Sequence, residues 1–193
     1  MTQDLEFNTV VIGAGQAGLA TGYELSRRGT RFTILEAQPR VGDVWRRRWD
    51  SLRLFTPARF SGLPGLPVPG PRNANLGKDE FADYLESYRA RFELPVREGV
   101  RVGAITGSPD GFLVTTDAGS LTARHVVLAT GANALPRIPS VAGELASGIL
   151  QLHSSDYLNP RAIPAGPVLV VGAGTSGAEI ALELARSHRT FLA

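Results

Sequence analysis

The 193-residue sequence contains no cysteine, and this absence excludes several kinds of chemistry. Without a thiol the chain can form no disulfide, no thiolate metal site and no cysteine nucleophile. The three histidines, His125, His153 and His188, are scattered and have no metal-ligand spacing. No metal site is therefore predicted.

Long apolar runs and a strong net charge are missing as well. No apolar run approaches the roughly 20 residues that span a bilayer, and the polar, acidic start MTQDLEF is not typical of a signal peptide. The net charge is +2, and the only basic run, Arg46-Arg47-Arg48, is interpreted as a solvated loop in preference to a phosphate-facing one. We expect a cytoplasmic protein that binds neither nucleic acid nor membrane, and its oligomeric state stays open.

A glycine-rich turn near the N-terminus is typical of dinucleotide binding. The apolar run VVI predicts a strand buried on both faces, and the turn and a helical pattern follow it. Gly13 allows the tight turn, Gly15 leaves room for a pyrophosphate, and Gly18 lets the helix lie close to the strand. Backbone N–H groups at the helix start, which includes Gln16 and Ala17, are expected to hold the two phosphates.

An acid at the end of the next predicted strand, RFTILE, supports this interpretation. Glu36 lies 23 residues after Gly13 and precedes Ala37, which we include in the predicted site. A carboxylate there can accept hydrogen bonds from a ribose diol and would repel a 2′-phosphate, so the site suits FAD or NAD. The alternative is an ordinary strand–helix corner, but the strand, the helix and the acid at this distance favour a dinucleotide.

The region after this first β-α-β unit is predicted to hold a loop, a helix and several strands. Four prolines between residues 64 and 71 exclude regular secondary structure there, and a loop this long is usually functional or mobile. Residues 78–92 form an amphipathic helix in this prediction. Strands are predicted at 96–105, 112–116 and 121–130, and the last of them ends in VVLATG.

A second turn of the same form occurs at VVGAGTSGAEIA, and its first glycine follows Gly13 by 159 residues. The sequence therefore predicts an α/β, Rossmann-like three-layer fold with a β-meander and an incomplete second dinucleotide-binding unit. An acid 23 residues after Gly172 would fall two positions beyond Ala193. We expect the chain to be a C-terminal truncation of a longer reading frame, with weak or absent turnover by itself.

Together these motifs resemble the two-dinucleotide-binding flavoproteins. VVIGAGQAGLA with Glu36, VVLATG and VVGAGTSGAEIA carry this resemblance, which covers almost the whole chain. Within that group, GDVWRRRWDSLRLFTPARFSGLPGLP and QLHSSDYLNP resemble flavin-containing monooxygenases and bacterial oxidoreductases associated with cation efflux. The resemblance implies an FAD-binding domain at residues 1–145, a connector at 146–167 and the start of an NAD(P)-binding domain at 168–193.

The resemblance also implies roles for individual residues. The three glycines of the first turn would hold the FAD pyrophosphate, and Glu36 would hold the adenosine ribose. Trp45 would lie along the flavin, although it could simply cover a loop, and a backbone group at Val102 would meet the adenine. The other implied cofactor contacts are Ala129, Thr130 and Gly131 for the flavin, and Gly172, Gly174, Thr175, Ser176 and Gly177 for the nicotinamide cofactor.

Two motifs depart from the pattern of these monooxygenases. Asp43 replaces the second glycine of their Gly-Gly-x-Trp stretch, and their signature Phe-x-Gly-x-x-x-His-x-x-x-Tyr survives only as His153 and Tyr157. Tyr157 in place of tryptophan favours the N- or S-oxygenating branch over Baeyer–Villiger enzymes. Without the resemblance, His153 is as well interpreted as a surface residue of the connector, and Tyr157 as a residue that packs the connector down.

The activity that the resemblance implies is an FAD-dependent monooxygenase. It would use NADPH, with NADH not excluded, and would transfer one oxygen atom from O2 to a small substrate. Because the cofactor carries this chemistry, no catalytic residue is predicted. A disulfide reductase of similar architecture is excluded, because the segments that would hold its cysteine pair, GDVWRRRWD and QLHSSDY, contain none. The alternatives are a reductase that passes electrons to an acceptor, and a non-catalytic nucleotide-binding module.

Overall fold

The computed structural model describes residues 5–132 and 135–193. The described chain forms two compact units, one of residues 5–46 and 55–132, the other of residues 47–54 and 135–193. The chain therefore passes into the second unit for one short segment before it completes the first. The domain boundaries at 145 and 167 stay a prediction.

The first unit contains a six-stranded sheet with the order β3-β2-β1-β6-β5-β4. Four helices accompany it, of which α1 and α4 are the longer ones. In chain order the elements are β1 (Phe7–Ile12), α1 (Gln16–Arg27), β2 (Phe32–Glu36), α2 (Asp43–Arg46), α3 (Ala58–Ser61), α4 (Lys78–Arg91), β3 (Val96–Glu98), β4 (Val102–Ser108), β5 (Gly111–Thr116) and β6 (Gly119–Leu128).

The sheet combines parallel nucleotide-binding strands with an antiparallel meander. β1 pairs in parallel with β2 and with β6, whereas β5 pairs antiparallel with β6 and with β4. The strand β6 is shared between the two parts, since its residue Ala123 lies opposite Phe7 on one side and Phe112 on the other. This arrangement confirms the predicted α/β, Rossmann-like fold with a β-meander.

The core lies around the central strands. Val10 and Val11 are completely buried, and every residue of β2 is buried, as is typical of parallel strands that are covered on both faces. One core cluster joins Val10, Ile12 and Leu35 of the parallel strands to Val114, Leu121 and Ala123 of the meander. The two parts of the sheet therefore share one hydrophobic core.

The strand predicted at residues 96–105 is wrong as a single element. It is two strands, β3 and β4, separated by residues 99–101, and Gly99 turns the chain there with φ +70°. β3 pairs in parallel with β2, while β4 pairs antiparallel with β5. The apolar pattern continues across the break, so the pattern gives no sign that the chain changes partners.

The proline-rich loop is hydrogen-bonded to α4. The hydroxyl of Tyr84 accepts from the backbone N–H of Leu63 at 2.6 Å and donates to the carbonyl of Leu66 at 2.7 Å. The hydroxyl of Tyr88 donates to the carbonyl of Pro64 at 2.6 Å. The loop contains turns and one isolated bridge, as its prolines predict, and the two tyrosines fix it in place.

The second unit contains a short parallel pair of strands, β7 (Val168–Val170) and β8 (Thr190–Leu192). The helix α5 (Thr175–Leu184) connects them and buries Ile180, Ala181 and Leu184. One 3-10 turn, Ser140–Glu144, precedes the connector, and another, Pro160–Ala162, lies within it. Across residues 5–132 and 135–193, no helix is both long enough and apolar enough to span a membrane.

Candidate dinucleotide-binding site

The first glycine turn has a shape that excludes side chains at two of its positions. Gly13 has φ +102°, a conformation that L-residues rarely adopt, and a Cβ there would overlap the carbonyl group of Ala129. A Cβ on Gly18 would overlap the carbonyl group of Gly13. These glycines are required by the close approach of α1 to the carboxyl ends of β1 and β6.

Gly15 is a glycine for a different reason. Its φ of −76° suits any residue, and no heavy atom lies within 4 Å of the position that a Cβ would take. It caps α1 without a side-chain hydrogen bond, and the first N–H groups of a helix have no partner within the helix itself. In α1 these first N–H groups are those of Gln16 and Ala17. The turn is therefore an open cradle that a Cβ would fill, beside N–H groups suited to an anion.

Glu36 directs its carboxylate at this turn. The residue is 9% exposed, and its Oε2 accepts from the backbone N–H of Ala14 at 2.7 Å. Its Oε1 accepts from the backbone N–H of Gln38 at 2.8 Å, on the other side of the half-buried Ala37. Each oxygen of an ionised carboxylate has a second acceptor position, so the group can still bind ribose hydroxyls.

The segment before β4 lies beside the end of β2. The backbone N–H of Val100 donates to the carbonyl of Glu36 at 2.8 Å, and that of Gly99 donates to the carbonyl of Gln38 at 2.9 Å. Val102, two residues further on, is half-buried and packs against the core cluster. The structure thus brings the segment leading to Val102 next to Glu36, and the contact of Val102 with an adenine stays a prediction.

The end of β6 reaches the same edge of the sheet. The backbone N–H of Ala129 donates to the carbonyl of Ile12 at 2.8 Å, which extends the pairing of β6 with β1. Thr130 and Gly131 follow as exposed residues, and Gly131 has φ +75°. Ligands of parallel α/β sheets bind at the carboxyl ends of the strands, where these residues and Gly13 meet.

Trp45 lies on α2, against α4. Its half-buried ring meets Phe81 edge-on, with ring centroids 5.0 Å apart and an interplanar angle of 88°. The preceding turn needs Gly42, which has φ +86° and whose Cβ would lie 2.8 Å from the carbonyl oxygen of Ala82. Trp45 is thus positioned by packing on α4, and its contact with a flavin stays a prediction.

Arg46 is the centre of an ion-pair network, so the interpretation of the whole basic run as a solvated loop is wrong for this residue. Its side chain is 15% exposed, and its Nη2 donates to Asp83 at 2.7 Å and to Glu86 at 2.9 Å. Its Nη1 donates to the carbonyl of Val41 at 2.9 Å and lies 3.4 Å from Asp43. Burial opposes the charge, but the hydrogen bond to Asp83 and the nearby acids raise the pKa of Arg46.

The second glycine turn repeats the geometry of the first. Gly172 has φ +101°, a Cβ on Gly177 would overlap the carbonyl group of Gly172, and the Cβ position of Gly174 is open. Gly174 caps α5, which begins with Thr175 and Ser176. The five predicted residues therefore form a cradle like the first one.

The two signature residues of the connector lie in the second unit. Nδ1 of His153 lies 2.9 Å from the hydroxyl oxygen of Ser155, within a turn. Tyr157 is 4% exposed, and its hydroxyl donates to Oε2 of Glu183 at 2.7 Å. This agrees with the interpretation of Tyr157 as a residue that packs the connector down.

Sequence reasoning did not identify Ala14 and Gln38, whose N–H groups orient the carboxylate of Glu36. Neither side chain carries a signal for this, because the donor is the backbone. Among residues 5–132 and 135–193, no group of three or more His, Cys, Asp or Glu side chains could hold a metal ion.

Residues 10–191 match the model of a family described as pyridine nucleotide-disulphide oxidoreductase. The chain belongs to this family. This confirms the predicted relationship to dinucleotide-binding oxidoreductases, and the family is one of enzymes.

Individual relatives of the chain are oxidoreductases and monooxygenases. The chain is 48% identical to an uncharacterised CzcO-like oxidoreductase of Geobacillus kaustophilus, over 96% of this chain and 53% of the relative. It is 38% identical to the rice indole-3-pyruvate monooxygenase YUCCA1, over 92% of this chain and 45% of the relative. A solved flavin-containing monooxygenase from Stenotrophomonas maltophilia superposes with a TM-score of 0.90 at 34% identity, over 96% of this chain and 57% of that one. The chain thus spans about half the length of these relatives.

Proposed function

We propose that this chain acts in an FAD-dependent oxidoreductase that uses NADPH and transfers one oxygen atom from O2 to a small substrate. One observation carries the proposal: the Glu36 carboxylate is directed at the first glycine turn, with Oε2 2.7 Å from the backbone nitrogen of Ala14. A ribose bound by this carboxylate and a pyrophosphate bound by the turn would belong to a single dinucleotide.

The residues present at the first turn fit FAD. The open position at Gly15 admits a pyrophosphate, and the N–H groups that begin α1 would donate to it. The carboxylate of Glu36 would accept from the ribose hydroxyls and disfavours a 2′-phosphate, so FAD suits this site and NADPH does not. FAD, when bound, supplies the redox chemistry, and the chain binds and orients it.

The second turn is proposed to hold the nicotinamide cofactor. Its open position at Gly174 and the start of α5 offer a second pyrophosphate cradle. NADPH rests on the resemblance, and NADH stays the alternative at this turn. The exposed Thr130 and Gly131 and the half-buried Trp45 are the proposed contacts on the flavin side.

Oxygen transfer is supported by the names of two relatives. Both the rice YUCCA1 protein and the Stenotrophomonas protein are monooxygenases, at 38% and 34% identity to this chain. Because the chain spans about half of each relative, we propose only that its substrate is a small molecule. A cytoplasmic location belongs to the same proposal.

The second candidate is a flavoprotein reductase that passes electrons from NADPH to an acceptor without inserting oxygen. The family description favours it, since that description names oxidoreductases and no oxygen transfer. A cysteine pair of this chain cannot be the acceptor, because the chain has no cysteine. The third, a non-catalytic nucleotide-binding module, requires the same two cradles but no electron transfer.

An absorbance spectrum of the purified protein at its natural length separates these candidates. We expect flavin bands, and we expect NADPH to bleach them when oxygen is excluded. Readmission of O2 with substrate should then give one oxygenated product per NADPH consumed. Hydrogen peroxide or reduced acceptor in its place would establish the reductase, and flavin bands that NADPH never bleaches would leave the non-catalytic module. A protein without flavin would contradict both the monooxygenase and the reductase.

A further inference from the structure

The segment of residues 47–54 interrupts the first unit and folds with the second. Its residue Asp50 makes two hydrogen bonds to the connector. The backbone N–H of Asp50 donates to the carbonyl of Leu158 at 2.8 Å, and Nδ2 of Asn159 donates to Oδ2 of Asp50 at 2.8 Å. Asp50 is therefore held through both its backbone and its side chain.

Two apolar residues of this segment are buried as well, Trp49 at 4% exposure and Leu52 at 8%. The indole N–H of Trp49 is buried without a hydrogen-bond partner in the described part of the chain. Its ring is thus stabilised by apolar contact, and Asp50 adds polar contacts with the connector.

The connector also contacts the last turn of α5. Tyr157 directly precedes Leu158, whose carbonyl accepts from Asp50, and the hydroxyl of Tyr157 donates to Glu183. A negative charge near the C-terminus of a helix is disfavoured by the exposed carbonyl groups, and the hydrogen bond from Tyr157 offsets this. Burial, together with the bond to Glu183, raises the pKa of Tyr157 well above its ordinary value of 10.0.

The segment, the connector and α5 meet around an open groove with a volume of about 510 Å³. Asp50 lines it from the segment, Asn159 and Arg161 line it from the connector, and Glu183 and Arg186 line it from the end of α5 and the turn that follows. The five side chains named here make the lining of this groove largely polar and charged.

The position of this joint on α5 connects it to the second glycine turn. Glu183 lies at one end of α5 and Gly174 at the other. A helix of this length is rigid, so holding its last turn sets the orientation of its first turn.

We propose that Asp50, Asn159 and Tyr157 are positioning residues of the second glycine turn: they dock segment 47–54 and the connector on α5 and so hold that turn in the orientation that binds a pyrophosphate. The proposal rests on the proposed function in one respect, that the second turn is the site of the nicotinamide cofactor. Segment 47–54 is then a structural part of that site, although it lies about 120 residues before it in the sequence.

The test uses the protein at its natural length and reverses one hydrogen bond. Asn159→Asp places two carboxylates against each other, whereas Asp50→Asn with Asn159→Asp restores a donor and an acceptor in the opposite sense. Asp50→Asn alone keeps an acceptor for Asn159 and is the matched control. Two readouts are independent of turnover: the rate of trypsin cleavage after the arginines of segment 47–54, and the Kd for NADP⁺ by calorimetry.

We expect Asn159→Asp to speed cleavage in the segment and to raise the Kd for NADP⁺, each by about three- to tenfold, with both restored in the double variant. Bound FAD should stay within about twofold of the unaltered protein, because the first turn is not touched. Tyr157→Phe should raise the Kd in the same direction, and Glu183→Gln, which still accepts from the hydroxyl, should not.

Three results would overturn the proposal. Unchanged cleavage in Asn159→Asp would show that the pair does not hold the segment. Faster cleavage with an unchanged Kd would show that the segment docks without positioning the turn. If the unaltered protein binds no NADP⁺, the proposed function of the second turn fails and the positioning role fails with it, while the cleavage result still reports the docking by itself.

Discussion

The Glu36 carboxylate and the backbone N–H of Ala14 form a buried hydrogen bond of 2.7 Å between the end of β2 and the first glycine turn. The acid proposed to bind a ribose therefore also holds the turn proposed to bind the phosphates. Because both oxygens already accept a backbone N–H, the carboxylate is oriented before any ligand arrives. Such preorganisation reduces the cost of binding.

Glu36→Ala tests this double role. Removing the carboxylate leaves the buried N–H of Ala14 without its acceptor, so we expect the free energy of unfolding to fall by about 1–3 kcal/mol. The Kd for FAD should rise by about tenfold or more, because the ribose loses its acceptors as well. Urea denaturation and fluorescence titration with FAD measure the two effects.

A matched control for this variant is Glu80→Ala on α4. Its carboxylate also accepts a backbone N–H, that of Gly77, at 2.7 Å, but it caps a helix far along the chain from the glycine turn. We expect a loss of about 0.5–2 kcal/mol in stability and an unchanged Kd for FAD. An equal loss of FAD affinity in both variants would mean that Glu36 acts on the fold alone.

Gly15→Ala and Gly13→Ala separate the binding role of a glycine from its folding role. The Cβ of Gly15→Ala enters open space, so this variant should be as stable as the unaltered protein yet bind FAD about tenfold more weakly or worse, since the Cβ occupies the phosphate position. Gly13→Ala forces a Cβ against the Ala129 carbonyl at φ +102° and should reduce soluble yield and stability. Flavin content and thermal unfolding of the two proteins give the comparison. Unimpaired flavin content in Gly15→Ala would place the pyrophosphate elsewhere.

Arg46→Ala is expected to destabilise the contact of α2 with α4. The change leaves Asp83, Glu86 and Asp43 without their shared cation, although the first two are well exposed and partly screened by water. We expect a loss of about 1–2 kcal/mol, smaller at high salt. The neighbouring, exposed Arg47→Ala should change stability by less than about 0.5 kcal/mol. Equal effects of the two substitutions in chemical denaturation would mean that the ion pairs of Arg46 do not stabilise the fold.

The raised pKa of Tyr88 should make the stability of the protein depend on pH in the alkaline range. Burial of Tyr88 raises its pKa above the ordinary 10.0, and the neighbouring Tyr84, Tyr23 and Glu24 add to this. The unfolded chain loses the proton near pH 10 while the folded protein keeps it, so the stability due to this group is complete below pH 10 and is lost as the pH rises further. Tyr88→Phe should reduce that alkaline slope by about 1.4 kcal/mol per pH unit.

The same variant has a second expected effect at neutral pH. Without the hydroxyl, the carbonyl of Pro64 loses its donor, which should cost about 0.5–1.5 kcal/mol at pH 7. Urea denaturation at pH 7, 9, 10.5 and 11.5 measures both effects. An alkaline slope that Tyr88→Phe leaves unchanged would assign the pH dependence to other groups.

Local patterns predicted the glycine turns and the strands next to them. The run VVI, the spacing of Gly13, Gly15 and Gly18 and the acid at Glu36 lie within one β-α-β unit, where spacing along the sequence determines spacing in the fold. The structure shows which glycine each constraint requires, a clash at Gly13 and open space at Gly15. The identity of the ligand does not follow from spacing alone.

Long-range contacts were not predictable in this way. The partners of Arg46 lie 37 and 40 residues further along the chain, so a run of three arginines looked like a solvated loop. Tyr157 and Glu183 are 26 residues apart, and Asp50 and Asn159 are 109 apart. In each case the charge or hydroxyl is visible in the sequence, but the fold alone decides which partner it meets.

The shared strand β6 has a consequence for anyone who wishes to shorten or graft this chain. Its first half is bonded to the meander and its second half to β1, and Ala123 serves both. Deleting the hairpin of residues 102–118 would remove the hydrogen-bonding partner of the first half of β6, while the second half of β6 borders the glycine turn. The unpaired edge of β6 could then pair with another molecule. Insertions are better directed to the tight bend at residues 109–110, where an added peptide would extend into solvent and leave every ladder intact.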